Sequence, residues 1–267
     1  MKRIFGYISL AFIFFILISV WTLKIDNSLG YSEFVSGGAL FFIISFLFLF
    51  NIRKRLPFLP LWPAHKWFLL HTIMGFLALL LFWLHAGSLW PKGLYVQILA
   101  SLFYLTTLSG IVGLIMEKIY PNLLTRIGHE CIYERIPHDI AKIRKKSEKL
   151  ILECTEKTGS DTLAKHYLET LGWFFQRPRF FINNIFGGRD SHNWINQQCA
   201  ILERFLNEAE REYMKQIFTL AEIKRKIDHH YSLQTMLKSW LLVHIPLAAA
   251  AMVMAVWHLI VIQVYFN

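Results

Sequence analysis

Apolar residues run along this chain in five long blocks, at 4–23, 34–52, 67–87, 94–116 and 236–266, with the polar residues collected between them. A helix needs about 20 mostly apolar residues to cross the hydrocarbon core of a bilayer. Each block predicts one transmembrane helix, and nothing in the pattern alternates as a strand would. The first block follows Lys2 and Arg3 as a signal peptide would. Its apolar stretch is long and no small-x-small site precedes Trp21, so the expectation is a retained anchor. The fifth block exceeds the thickness of a bilayer, which predicts tilt or projection, and Pro246 is expected to kink it just past His244.

The polar stretch 117–235 also reads as helical. Pro137 and Asp139 open one helix running towards Lys157, and Gly159, Ser160 and Asp161 separate it from the next. From Asn196 to His230 breakers are few, and Leu202, Phe205, Leu206, Ala209, Tyr213, Ile217 and Leu220 recur at helical spacing. Arg177, Pro178, Arg179, Phe180, Phe181 and Ile182 form a basic, aromatic link, suited to resting on headgroups or to packing between two helices. The expected fold is an all-α integral membrane protein. Its parts are an anchor helix and outer loop (1–33), three further spans (34–116), a helical insertion (117–235) and a last span (236–267).

Composition agrees: 55% of the 267 residues are hydrophobic, with 23 Phe and 9 Trp, and mean hydropathy is +0.41. The formal charge of +10 does not indicate nucleic acid, because residues 117–231 hold 19 Lys and Arg against 16 Asp and Glu. Much of the excess (Lys2, Arg3, Arg53, Lys54, Arg55, Lys66) flanks the spans, where it reads as topology and contact with anionic membrane lipid. The other short loops carry only Lys24 and Lys92. The positive-inside rule then predicts a multi-pass protein of the cytoplasmic membrane, with the N-terminus and 117–235 in the cytoplasm and the C-terminus outside. Trp83, Trp90, Tyr95, Trp257 and Tyr265 are expected in the outer aromatic belt. Cys131, Cys154 and Cys199 have no CxxC or CxxCH spacing, which argues for reduced thiols and against zinc, iron–sulfur or covalent haem sites.

Inside the apolar blocks stand His71 and His85, then His244 and His258, each pair fourteen residues apart. Ionisable side chains at such depth are costly and mark functional sites or buried partners. Fourteen residues advance a helix by about 21 Å and return within roughly 40° of the same face. Spans three and five run in the same direction, so depth pairs His71 with His244 near the cytoplasmic face and His85 with His258 near the outer one. Two imidazoles facing each other are the axial set of a non-covalent b-type haem, and two such pairs predict two haems. Gly75, Ser109, Gly110, Gly113 and Ala248 to Ala251 leave room for close packing or a flat porphyrin. Lys66, Lys92, Lys238 and Trp240 stand at span ends, where they would meet haem propionates or snorkel.

This arrangement resembles the di-haem cytochrome b four-helix bundle of cytochrome bc complexes and membrane quinol dehydrogenases. In that family the second and fourth bundle helices each carry two ligand histidines. Spans two to five match the bundle, with His71, His85, His244 and His258 in ligand positions, and the Trp240 to Pro246 stretch and Trp257–His258 look like b-type ligand helices. The chain departs from the family in its extra first span, its long insertion and its lack of a Pro-Glu-Trp-Tyr-like quinone motif. The resemblance implies transmembrane electron transfer, as a subunit of an oxidoreductase of a respiratory chain. Electrons would pass between a quinone pool or cytoplasmic partner (an iron–sulfur, flavin or multihaem cytochrome protein) and an outer-side carrier. Other readings are a quinol dehydrogenase using Asp228, His229 and His230 as a proton relay, a metal-reductase membrane subunit, and a haem-free scaffold or transporter.

Overall fold

The computed structural model describes residues 2–53, 63–128 and 131–266, and all regular structure among them is helical. Lys54, Arg55 and His129 lie outside the described residues, as do the side chains of Lys2, Arg3 and Arg53. The chain forms two compact units: Met1–Ile115 with Trp240–Asn267, and Met116–Ser239.

The first unit holds α1 (Lys2–Asn27), α2 (Ser32–Arg53), α3 (Ala64–Ala86), the start of α4 (Leu94–Ile127) and the end of α10 (Glu208–Phe266). These five helices are long and apolar enough to cross a membrane. Pro63, which cannot continue a helix backwards, precedes α3. Gly87 ends it at φ +62°, a left-handed conformation that suits glycine, with its N–H donated to the Trp83 carbonyl at 3.1 Å. Helices α1, α2 and α3 pack directly on one another. Leu40, Ile43, Leu77, Leu81, Phe82 and Phe103 fill the space among α2, α3 and α4. The surface left outside is itself apolar: Leu10, Phe42 and Leu242 are 64%, 70% and 76% exposed. A helix facing water would present polar residues there.

The second unit begins with the end of α4, which runs on through Pro121 to Ile127, past the expected limit of the span. After a single 3₁₀ turn comes α5 (Ile136–Thr158), whose Ile136, Ile140, Ile143, Ser147, Ile151 and Cys154 are buried along one stripe. Its other face carries exposed pairs such as Arg144–Glu148, which add little stability. Gly159, at φ +67°, closes α5. The next helical stretch is α6 (Thr162–His166), a π turn over Tyr167–Leu171 and α7 (Gly172–Gln176). It seats Leu163, Leu171, Phe174 and Phe175 in the centre of the unit. Two short elements follow, α8 (Phe181–Ile185) and α9 (Asp190–Leu202), before the polar part of α10.

The helix expected across Asn196 to His230 is broken at 203–207. Asn207 Oδ1 accepts the Glu210 N–H at 2.8 Å, and Glu210 Oε2 accepts the Asn207 N–H at 3.0 Å. This reciprocal cap starts α10 and turns Phe205 outward, so that Phe205 is exposed while Leu202, Leu206, Ile217 and Leu220 are buried. Replacing Asn207 with Ala is expected to cost about 1 kcal/mol. Limited proteolysis should then cut faster within 203–208; an unchanged rate would mean that packing alone holds the helix start.

Candidate functional site

The four histidines of the apolar helices are all half-buried in the first unit. Helix α3 carries His71 and His85, and α10 carries His244 and His258. The rings of His85 and His258 meet edge to face, with centroids 6.4 Å apart and planes at 81°. His71 and His244 stand fourteen residues earlier on the same two helices. The structure thus brings His85 and His258 together. No three or more His, Cys, Asp or Glu side chains gather among the described residues, so each centre offers two imidazoles.

Each ring is held by its own surroundings. Phe50 of α2 lies against His71 at 4.8 Å between centroids, Trp240 stacks on His244 at 5.2 Å, and Tyr95 on His258 at 6.0 Å. His85 has no aromatic neighbour of this kind among the contacts described; its Nδ1 stands 3.2 Å from Ser36 Oγ. The Ser109 hydroxyl stands at the same distance from His244 Nδ1. The Nδ1 atoms of His71 and His258 are buried without a hydrogen-bond partner.

The small residues have distinct jobs. A methyl group on Gly37 would stand 2.8 Å from His85 Cε1, so α2 can lie against this ring only with glycine there. One on Gly113 would overlap the Trp240 indole, whose N–H goes to the Ser109 carbonyl at 2.8 Å. One on Gly110 would meet His244 Cε1 at 3.6 Å. Beside Gly75, one turn from His71, a methyl group would meet only open space. Lys66 and Lys92 are exposed at the starts of α3 and α4. Lys238 belongs to the second unit, where it pairs with Glu134 at 2.8 Å and covers the Tyr133 ring.

No family model, curated protein or solved structure matches this chain. Its chemistry is therefore read from the residues themselves.

In the second unit, the Asp228, His229 and His230 run belongs to a buried polar network. Lys224 Nζ donates to Asp228 Oδ2 at 2.5 Å and to the Arg177 carbonyl at 2.9 Å, and sits 4.0 Å from the centre of the Phe174 ring. Asp228 also accepts the Arg179 N–H at 3.2 Å. Asn184 donates to the Arg179 carbonyl and to Ser232. Together these bonds fasten the Arg177–Asn184 link to α10. Burial pushes the Asp228 carboxyl up to about 6 against the pull of Lys224, and pushes the Lys224 amine down to about 8 against that of Asp228. The carboxylate weighed as a proton relay is thus 1% exposed and holds a lysine. Of the basic aromatic link, Phe180 packs on the core while Ile182 and Phe186 stay exposed.

Sequence reading did not single out Ser36, Gly37 or Lys224. Ser36, Gly37 and Gly38 form a small, partly polar triplet inside an apolar span, which is the signal that would have marked the neighbour of His85.

Proposed function

We propose that this chain is a di-haem cytochrome b that carries electrons across the cytoplasmic membrane. The observation that carries the reading is the meeting of the His85 and His258 rings, together with the presence of His71 and His244 fourteen residues earlier on the same two helices. The His85 and His258 imidazoles, with centroids 6.4 Å apart, would hold one iron centre between them, and a haem would supply the remaining donors.

His71 and His244 would hold one haem, and His85 and His258 the other, without covalent attachment. Bound haem supplies a one-electron iron couple, and two imidazoles per iron favour electron transfer over substrate binding. Gly75 leaves open space beside His71, while Gly37 and Gly113 let α2 and Trp240 close around the imidazoles. Lys66 and Lys92 stand exposed at the starts of α3 and α4, where propionates would emerge, and the donors of Lys238 and Trp240 serve Glu134 and the Ser109 carbonyl. The positive loops put the N-terminus and the second unit in the cytoplasm. That unit is then the docking surface for a redox partner, an iron–sulfur, flavin or multihaem cytochrome protein, and membrane quinone is the other exchange partner.

The test is a dithionite-reduced minus oxidised spectrum of the purified protein, with pyridine haemochrome quantification. About two b-type haems per chain are expected from the two histidine pairs. Folded protein that stays colourless after expression with ample haem would overturn the proposal and leave a membrane scaffold or transporter.

A further inference from the structure

The hydroxyl of Ser36 touches three groups at once. It stands 3.2 Å from His85 Nδ1, 3.4 Å from the Ser32 carbonyl and 3.3 Å from the Glu33 carbonyl, and Ser36 is 1% exposed. Carbonyl oxygens only accept hydrogen bonds, so a hydroxyl proton given back to Ser32 or Glu33, the usual habit of a serine inside a helix, leaves the Oγ lone pairs towards His85. With the proton so placed, His85 Nδ1 is the donor to Ser36 Oγ.

Gly37 adds the direction. A methyl group there would approach Cε1 at 2.8 Å, Nδ1 at 3.2 Å and Nε2 at 3.5 Å. The Nδ1–Cε1 edge of the ring therefore lies against α2, and Nε2 is the nitrogen turned furthest from it. On the other side of the pair, His258 has a buried Nδ1 without a hydrogen-bond partner. The two imidazoles of this pair are chemically unequal.

We propose that Ser36 locks His85 as its Nδ1–H tautomer, so that unprotonated Nε2 is the nitrogen offered across the pair. Ser36 is a positioning residue: it reaches a bound group only through His85. The inference rests on the haem reading of the pair. An imidazole whose far N–H is engaged by an acceptor is fixed in orientation and is the more basic ligand. A more basic ligand favours the oxidised metal, so loss of the Ser36 hydroxyl should raise the reduction midpoint of the haem at His85–His258.

The experiment uses full-length protein with Ser36→Ala and Ser36→Thr, following haem content, potentiometric titration and the low-spin electron paramagnetic resonance signal. Ser36→Ala should keep both haems, raise one midpoint and alter one resonance signal, and Ser36→Thr should return both to the native values. In a His258→Ala background, which keeps only the His71–His244 centre, Ser36→Ala should change nothing. If Ser36→Ala instead loses one haem and Ser36→Thr regains it, the hydroxyl is again responsible. Two haems with unchanged midpoints and resonance signals in Ser36→Ala overturn the proposal. So does a change that persists in the His258→Ala background, or one that Ser36→Thr fails to reverse. A native protein without pigment is a separate result: the haem reading itself then fails, and the role of Ser36 falls with it.

Discussion

Replacing His85 or His258 with Ala is expected to leave about one of the two haems proposed per chain, because a bis-histidine site needs both imidazoles. The double variant should also keep about one, since both changes strike the same centre and their effects do not add. His71→Ala and His244→Ala should behave in the same way at the other centre. A cross-pair combination, His85→Ala with His244→Ala, should leave the protein colourless. Pyridine haemochrome on the purified variants reads all of these directly. A His85→Ala/His258→Ala protein without haem, made from singles that each keep one, would show that the histidines are not paired by depth.

The second large effect lies in the polar unit. Asp228→Asn leaves Lys224 as a buried charge, and Lys224→Met leaves Asp228; each is expected to destabilise the unit by about 3–5 kcal/mol. For a unit of this size that lowers the thermal midpoint by roughly 10 °C or more. Lys224→Met with Asp228→Leu should recover most of the loss, because burying an apolar pair avoids desolvating two charges. Circular dichroism melts of the detergent-solubilised variants test this, and a double variant no better than the singles would refute it.

The native pair also has a pH signature relative to the double variant. Asp228 in the fold keeps its proton up to about 6, above its ordinary range, so its contribution is fully present below about 4 and is lost as pH rises through 6. Lys224 in the fold loses its proton near 8, below its ordinary range, so stability returns as pH rises from about 8 towards 10.4. The native protein should therefore compare least favourably with the double variant between these two values.

The five long apolar helices and the meeting of His85 with His258 were legible, the first from unbroken apolar runs and the second from helical periodicity. Twenty apolar residues in a row have few alternatives to a membrane helix, and fourteen residues return a helix to nearly the same face at a new depth. The break at 203–207 was not legible from apolar spacing, because the stripe of leucines and isoleucines continues across it; the signal was polar, in Asn207 and Glu210. Ser36 was hidden for a different reason. Its partner is 49 residues away, and nothing in a single sequence says which face of α2 meets His85. Lys224 and Asp228 are four apart on α10, a spacing that normally marks a solvated pair. Only the packing of Phe174 and the Arg177–Asn184 link over them makes it a buried one.

The first unit is discontinuous along the chain: His71 and His85 precede the whole of Met116–Ser239, and His244 and His258 follow it. A ribosome adding about 5–20 residues per second takes roughly 6–25 s to make the intervening stretch. Throughout that interval His71 and His85 wait for partners that have not been synthesised. Any ligand that needs both members of a pair therefore joins a chain whose translation is essentially over, and the timing of its insertion is set by the length of the segment that separates them.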